Sequence, residues 1–194
     1  MDAEQDNRNT LLETALRLFS ERGYEAVGVA ELCDASLVTK PTLYHYFGSK
    51  RGLLDAIIAE KGRSLLAGVK EAATAFSPRD VPQALSGIAL AFASSAKADE
   101  AFARLRLTLA FAPPSSEGGQ AIKSLNDELF GQVEAFFKAA ADFHGNMKGR
   151  SEPYAATFIG TIDSYVGLYL ARRAGLSDVV VLGAVRQFMY GIFS

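Results

Sequence analysis

The chain has 194 residues, 49% of them hydrophobic and 22% charged, with 20 Lys and Arg against 22 Asp and Glu. This balance suits a packed globular protein, either one large domain or a small module plus a medium one, and excludes a disordered or fibrous chain. The single cysteine, Cys33, excludes an intrachain disulfide, and two histidines form no cluster at metal-ligand spacing, so neither a metal nor a cofactor is expected.

The opening MDAEQDNRNT has neither the basic nor the apolar region of a signal peptide. The longest apolar runs, such as VVVLGAV after Asp178, fall well short of the roughly 20 residues that span a bilayer. A cytoplasmic protein without membrane contact is expected. The net charge of −2, taken as a sum, argues against a nucleic-acid binder. Locally the balance reverses: acids are missing between Asp34 and Asp55, the interval that holds Lys40, Lys50 and Arg51.

In chain order, Leu11, Leu12, Ala15, Leu16 and Phe19 recur at helical spacing, and Arg22 with Gly23 supplies a basic last turn and a stop. A short helical pattern follows from Val29 to about Ala35. Thr39 is a good N-cap for a second short segment, KPTLYHYF, and Pro41 fits only in its first turn, which fixes the start near Lys40. Gly48 breaks the segment, Ser49 can cap the next, and a long helix is predicted from Lys50 to about Thr74. Further helices are predicted at about 81–96, 98–112, 119–143, 153–174 and 178–193, broken by SPRDVP, APPSSEGG, HGNMKGRSE and the Gly175 to Ser177 turn. No alternating pattern bounded by hairpin signals occurs. The fold expected is all-α with about nine helices: a three-helix helix-turn-helix module over residues 1–52, its motif at about 28–47, and a helical body over 53–194.

Two short helices joined by a tight turn and braced by a preceding helix are the scaffold of a DNA-reading helix-turn-helix. In the second, Leu43 and Phe47 stand four apart and should face inward. Lys40, Thr42, Tyr44 and His45 then face outward, offering an amine, hydroxyls and an imidazole to phosphates and base edges, with Lys50 beside them.

The span ALRLFSERGYEAVGVAELCDASLVTKPTLYHYFGSKRGLLDAI, with its TLYHYF-x-SK signature followed by paired leucines, resembles the N-terminal domain of the tetracycline-repressor (TetR/AcrR) family over residues 8–60. The resemblance implies a transcriptional regulator that binds a palindromic operator in double-stranded DNA as a homodimer, usually a repressor released by a small-molecule inducer. It places DNA contacts at Lys40, Pro41 and Thr42 in the first turn of the reading helix, at Tyr44 and His45, and at Lys50. Three positions depart from the family pattern. Val27 and Gly28 replace the usual hydroxyl-bearing residues, so a cap and a phosphate contact are lost. Ala30 replaces a basic or polar residue. Leu37 occupies a turn position usually held by glycine, where a left-handed backbone costs about 1–2 kcal/mol. Cys33 falls at a small core position and is expected to pack rather than react.

In the body, Phe92, Phe102, Phe111, Phe130, Phe137, Phe158, Tyr165 and Tyr169 could line an apolar ligand pocket, about a third of them touching the ligand. Asp163 is a further candidate, because an acid inside FIGTIDSYVGLYL is costly to bury without a partner. Phe158, Ile162, Val166 and Leu170, then Val180, Val181, Val185, Phe188, Met189 and Ile192, make the last two helices apolar on more than one face. Such helices need cover on two sides, which a twofold dimer would supply. An enzyme is not expected, since neither Asp163 nor His144 stands with a nucleophile, base and orienting group. A helix-turn-helix used only for protein contacts is the other rival, which steeply salt-dependent binding to a palindrome would exclude.

Overall fold

The computed structural model describes residues 3–191. Nine α-helices and no strand occur among them: α1 (Ala3–Arg22), α2 (Val29–Ser36), α3 (Lys40–Phe47), α4 (Lys50–Ala75), α5 (Val81–Ala98), α6 (Glu100–Ala110), α7 (Glu117–Ala141), α8 (Ser151–Leu170) and α9 (Asp178–Tyr190). Their ends follow local chemistry. Gly23, at φ 86°, closes α1 by donating its N–H to the Phe19 carbonyl at 2.9 Å. Ser49 Oγ accepts the Gly52 N–H at 2.9 Å to open α4, and Ser177 accepts the Val180 N–H at 3.4 Å to open α9.

Several boundaries differ from the predicted ones by two to four residues, and two of them have a visible local cause. The helix predicted from 119 starts at Glu117, because Ser116 Oγ takes the Gly119 N–H at 3.1 Å. The helix predicted to run to 174 stops at Leu170. There the chain turns through Arg172, at φ 58°, and its guanidinium grips both Glu100 oxygens, at 3.0 and 2.6 Å. The HGNMKGRSE stretch holds one 3-10 turn, Gly145–Met147.

The helices group into two compact units, one of residues 1–62 and 101–125, the other of 63–100 and 126–194. In the first, α1 packs on α2 and α3, and Leu11, Leu16, Phe19, Leu32, Leu43, Leu53, Leu54 and Ile57 fill the core. Ion pairs tie α1 to α4: Arg8 with Glu60, and Lys61 Nζ with Glu13 at 2.7 Å. Helix α6 and the first turns of α7 join this unit, so packing divides the chain elsewhere than a linear cut at 52/53. Close approach explains the grouping, since a Cβ on Gly62 of α4 would stand 2.9 Å from Leu125 Cδ1 of α7.

In the second unit, α5, α8 and α9 pack on one another. Phe137, Phe158 and Phe188 meet pairwise at its centre, with ring centroids 5.3 to 6.3 Å apart in edge or tilted contact. Each such pair is worth about 0.5–1.5 kcal/mol beyond the area it buries. Among the described residues, no helix is long and apolar enough to cross a membrane.

Candidate nucleic-acid interface and ligand cavity

The turn between α2 and α3 follows from Leu37. Its backbone is left-handed, at φ 58° and ψ 33°, and its N–H and that of Val38 return to the Asp34 and Cys33 carbonyls at 3.4 and 3.1 Å. The side chain is 94% exposed and contributes little packing to offset that backbone. Gly28 caps α2 without any side-chain bond, as expected of a position that lacks its usual hydroxyl.

Helix α3 is well specified by comparison. Thr39 Oγ1 accepts the Thr42 N–H at 3.3 Å and lies 2.8 Å from Thr42 Oγ1, while Pro41 occupies the first turn without a missing partner. Leu43 is fully buried and orients the helix. Lys40, Pro41, Tyr44 and His45 are exposed, Tyr44 at 49%, so they form the face open to a partner; Thr42 is half-buried in the cap. Phe47 is only half-buried, with the Arg8 guanidinium 5.4 Å from its ring centroid. Ala30 is exposed on α2 and adds no polar group to this face.

Lys50 lies elsewhere. Its ammonium stands 4.1 Å from the Tyr24 ring centroid and donates to the Tyr24 and Val27 carbonyls at 3.1 and 3.2 Å. The carbonyls of the turn before α2 are thereby satisfied by a cation, a bracing role that no local spacing signals. Arg51 pairs with Asp55 at 2.8 Å. Of the three cations in the acid-free interval, Lys40 is the one that α3 exposes, so the local positive field is thinner than the count of charges suggested. Cys33 is buried, and burial pushes its thiol pKa up, which leaves little reactive thiolate.

The second unit holds a cavity of about 980 Å³ where α5, α7, α8, α9 and the 144–147 segment converge. Of the aromatic candidates read from sequence, Phe137 and Tyr165 line it, the Tyr165 hydroxyl 3.3 Å from Gln187 Oε1. Phe92, Phe102 and Phe158 are buried core residues, Phe111 is 88% exposed at the end of α6, and Phe130 and Asp163 are half-buried on α7 and α8. His144, Tyr154, Thr157 and Gln187 line the cavity without having been singled out for it. Isolated polar residues at helix ends carry no period that could have marked them.

Residues 11–57 match the family model of bacterial regulatory proteins, tetR family. The same region is 39% identical over 67 residues to the HTH-type transcriptional activator FasR of Mycolicibacterium smegmatis, covering 34% of this chain and 31% of that protein. It is 34% identical over 67 residues to the regulator UidR of Escherichia coli, covering 34% of each, and 41% identical over 51 residues to the repressor KstR2 of Rhodococcus jostii, covering 26% and 25%. The match thus spans about a third or less of these relatives' length. This N-terminal region carries the likeness to the tetR family.

The fold of the whole chain is shared with solved structures of low identity. PfmR of Thermus thermophilus superposes with a TM-score of 0.75 at 23% identity, over 96% of this chain and 97% of that one. FadR of Bacillus subtilis, in complex with stearoyl-CoA, gives 0.78 at 18%, over 95% and 98%.

Proposed function

We propose that this chain is a DNA-binding transcriptional regulator of the repressor type, which binds a palindromic operator as a homodimer and is released by a small apolar or amphipathic molecule. One observation carries the reading: α3 is capped by Thr39, anchored by the buried Leu43, and turns Lys40, Pro41, Tyr44 and His45 to solvent. These side chains offer what phosphates and base edges bind. Thr42 sets the first turn, and Lys50 serves the interface by holding the turn before α2.

The dimer reading rests on the outer faces of α8 and α9. Phe158, Ile162, Val166, Leu170, Val181 and Val185 are satisfied within the chain, and Ile192 lies outside the described residues. What remains outward is a strip of Val179 (81% exposed), Leu182 and Tyr190 on α9 beside Ala156, Gly160 and Gly167 on α8. A Cβ on either glycine would meet nothing within 4 Å, which leaves room for a second helix pair. A twofold partner there would give the protein two copies of α3, and an operator with half-sites about 34–36 Å apart, one turn of DNA, is what such a dimer reads.

Ligand release is supported by the 980 Å³ cavity, a size that suits a drug-like molecule, and by the unbroken run of α4 from Lys50 to Ala75. The stearoyl-CoA complex of Bacillus subtilis FadR shows an amphipathic molecule held by a protein of this fold. A ligand acts only through its differential affinity for the two states, with couplings of about 1–3 kcal/mol typical. Selection of bound sites from a random duplex pool tests the proposal. An enriched inverted repeat with half-sites about one turn apart is expected; recovery of no motif would remove sequence-specific regulation.

A further inference from the structure

We infer that the cavity of the second unit takes an uncharged ligand, one with an apolar body and hydrogen-bond donors, and rejects an anion of the same skeleton. This rests on reading the cavity as the ligand site, and it names the chemistry that site selects. Among the described residues no Asp, Glu, Lys or Arg lines the cavity. An ion inside it would lose water and gain no counter-charge, which is the costly way to bury a charge.

Several of the lining hydroxyls point the same way, while the amides of Asn146 and Gln187 keep donors for an uncharged acceptor. On α8, Thr161 Oγ1 donates to the Thr157 carbonyl at 2.8 Å and Ser164 Oγ to the Gly160 carbonyl at 2.7 Å. Their protons are committed to the helix, so both hydroxyls offer lone pairs to a ligand. His144 Nε2 sits 3.0 Å from the Arg79 carbonyl, which can only accept, so this nitrogen is turned to the backbone as a donor rather than to a ligand. Tyr165 donates to Gln187 and likewise keeps its lone pairs.

One feature could have favoured an anion, the positive end of α5, whose first residues Val81 and Pro82 line the cavity. That end is already occupied. Asp80 Oδ1 accepts the Gln83 N–H at 3.3 Å, and Pro82 has no N–H to give. The carboxylate cancels the helix end and adds a negative charge nearby.

A matched pair of fluorescent probes tests the inference: N-phenyl-1-naphthylamine, which is neutral, and 8-anilinonaphthalene-1-sulfonate, the same skeleton with a sulfonate. Thr157→Trp fills the cavity from an exposed position, Thr161→Trp is the second blocking variant, and circular dichroism confirms that each folds. Only fluorescence lost in a folded blocking variant counts as cavity binding. The neutral probe is expected to bind there at least about tenfold more tightly than the sulfonate, a difference of about 1.4 kcal/mol. Tetraphenylphosphonium is expected not to displace it. Blockable sulfonate binding of equal or greater affinity, or displacement by the phosphonium, would overturn the uncharged class and leave the ligand-site reading standing. Absence of blockable binding by every probe would overturn both, with operator binding, measured separately on the same protein, unaffected by that outcome.

Discussion

The Tyr24 hydroxyl donates to Glu117 Oε2 at 2.5 Å, joining the turn after α1 to the first residue of α7 across 93 positions of sequence. Tyr24 is buried, with the Phe19 ring edge-on at a centroid distance of 5.1 Å and the Lys50 ammonium over its other surroundings at 4.1 Å from its own centroid. Gly118 lets α7 begin this close: a Cβ there would stand 2.7 Å from Leu109 Cδ2 and 3.9 Å from the Tyr24 ring. The turn that aims the helix-turn-helix is thus held by residues far along the chain within the same compact unit.

Tyr24→Phe removes this bond while keeping the ring. Because Glu117 is exposed, the loss is expected below the usual range for a hydrogen bond to a charged group, at about 1 kcal/mol, or a Tm lower by about 2–4 °C. Burial first, and then the bond to Glu117, raise the phenol pKa well above its ordinary 10.0. The folded chain therefore holds that proton more tightly than the unfolded one. The linked stability is complete below pH 10 and declines as pH rises above it. Urea melts at pH 9 and pH 11 should show a larger loss in the parent than in Tyr24→Phe; equal losses would show that the phenol is not held in this way.

Lys50→Met keeps the apolar stem and removes the two bonds to the Tyr24 and Val27 carbonyls. Leaving half-buried acceptors unsatisfied is expected to destabilise the protein by about 1–2 kcal/mol, read as a lower urea midpoint. The salt dependence of DNA binding should keep its slope. A phosphate contact would behave in the opposite manner, lowering the slope by about 1 and leaving the midpoint unchanged.

Leu37→Gly should stabilise the chain. Relief of a left-handed non-glycine backbone gains about 1–2 kcal/mol, and the freer unfolded chain gives back about 0.5–1. With a side chain this exposed, little packing is lost. The net gain of about 0.5 kcal/mol corresponds to a Tm higher by about 1–2 °C in calorimetry. A lower Tm would mean that Leu37 makes a contact its exposure does not reveal.

The helices were legible because their signals are local: apolar period, Thr39 and Ser49 as caps, Gly23 and Gly48 as stops, Pro41 confined to a first turn. The face of α3 was legible for the same reason, Leu43 inward fixing Lys40, Tyr44 and His45 outward. The bracing bonds of Lys50 were not legible because their partners are carbonyls more than 20 residues back, and the pairing of Arg51 was overlooked because Asp55, one turn on, stands at the edge of the acid-free interval. The cavity was the least legible part. An aromatic such as Phe158 satisfies a core position as well as a pocket wall, so composition could not separate the two. Tyr165 was named only as one of several body aromatics, whereas His144 and Gln187 become neighbours only when segments distant in sequence converge.

The most direct test of DNA reading by α3 is the affinity of the selected operator and of a scrambled duplex, measured by fluorescence anisotropy across a salt series. The parent should bind the operator at least about a thousandfold more tightly than the scramble at physiological salt. Lys40→Ala should weaken both duplexes and lower the salt slope by about 1 if it touches phosphate. Tyr44→Phe and Thr42→Ala should weaken operator binding; Tm should stay within about 2 °C of the parent for the exposed Tyr44, where a surface change costs within about 0.5 kcal/mol, and fall further for Thr42, whose hydroxyl belongs to the α3 cap. Operator affinity unchanged in all three variants would contradict the account, because α3 would then not be the element that meets DNA.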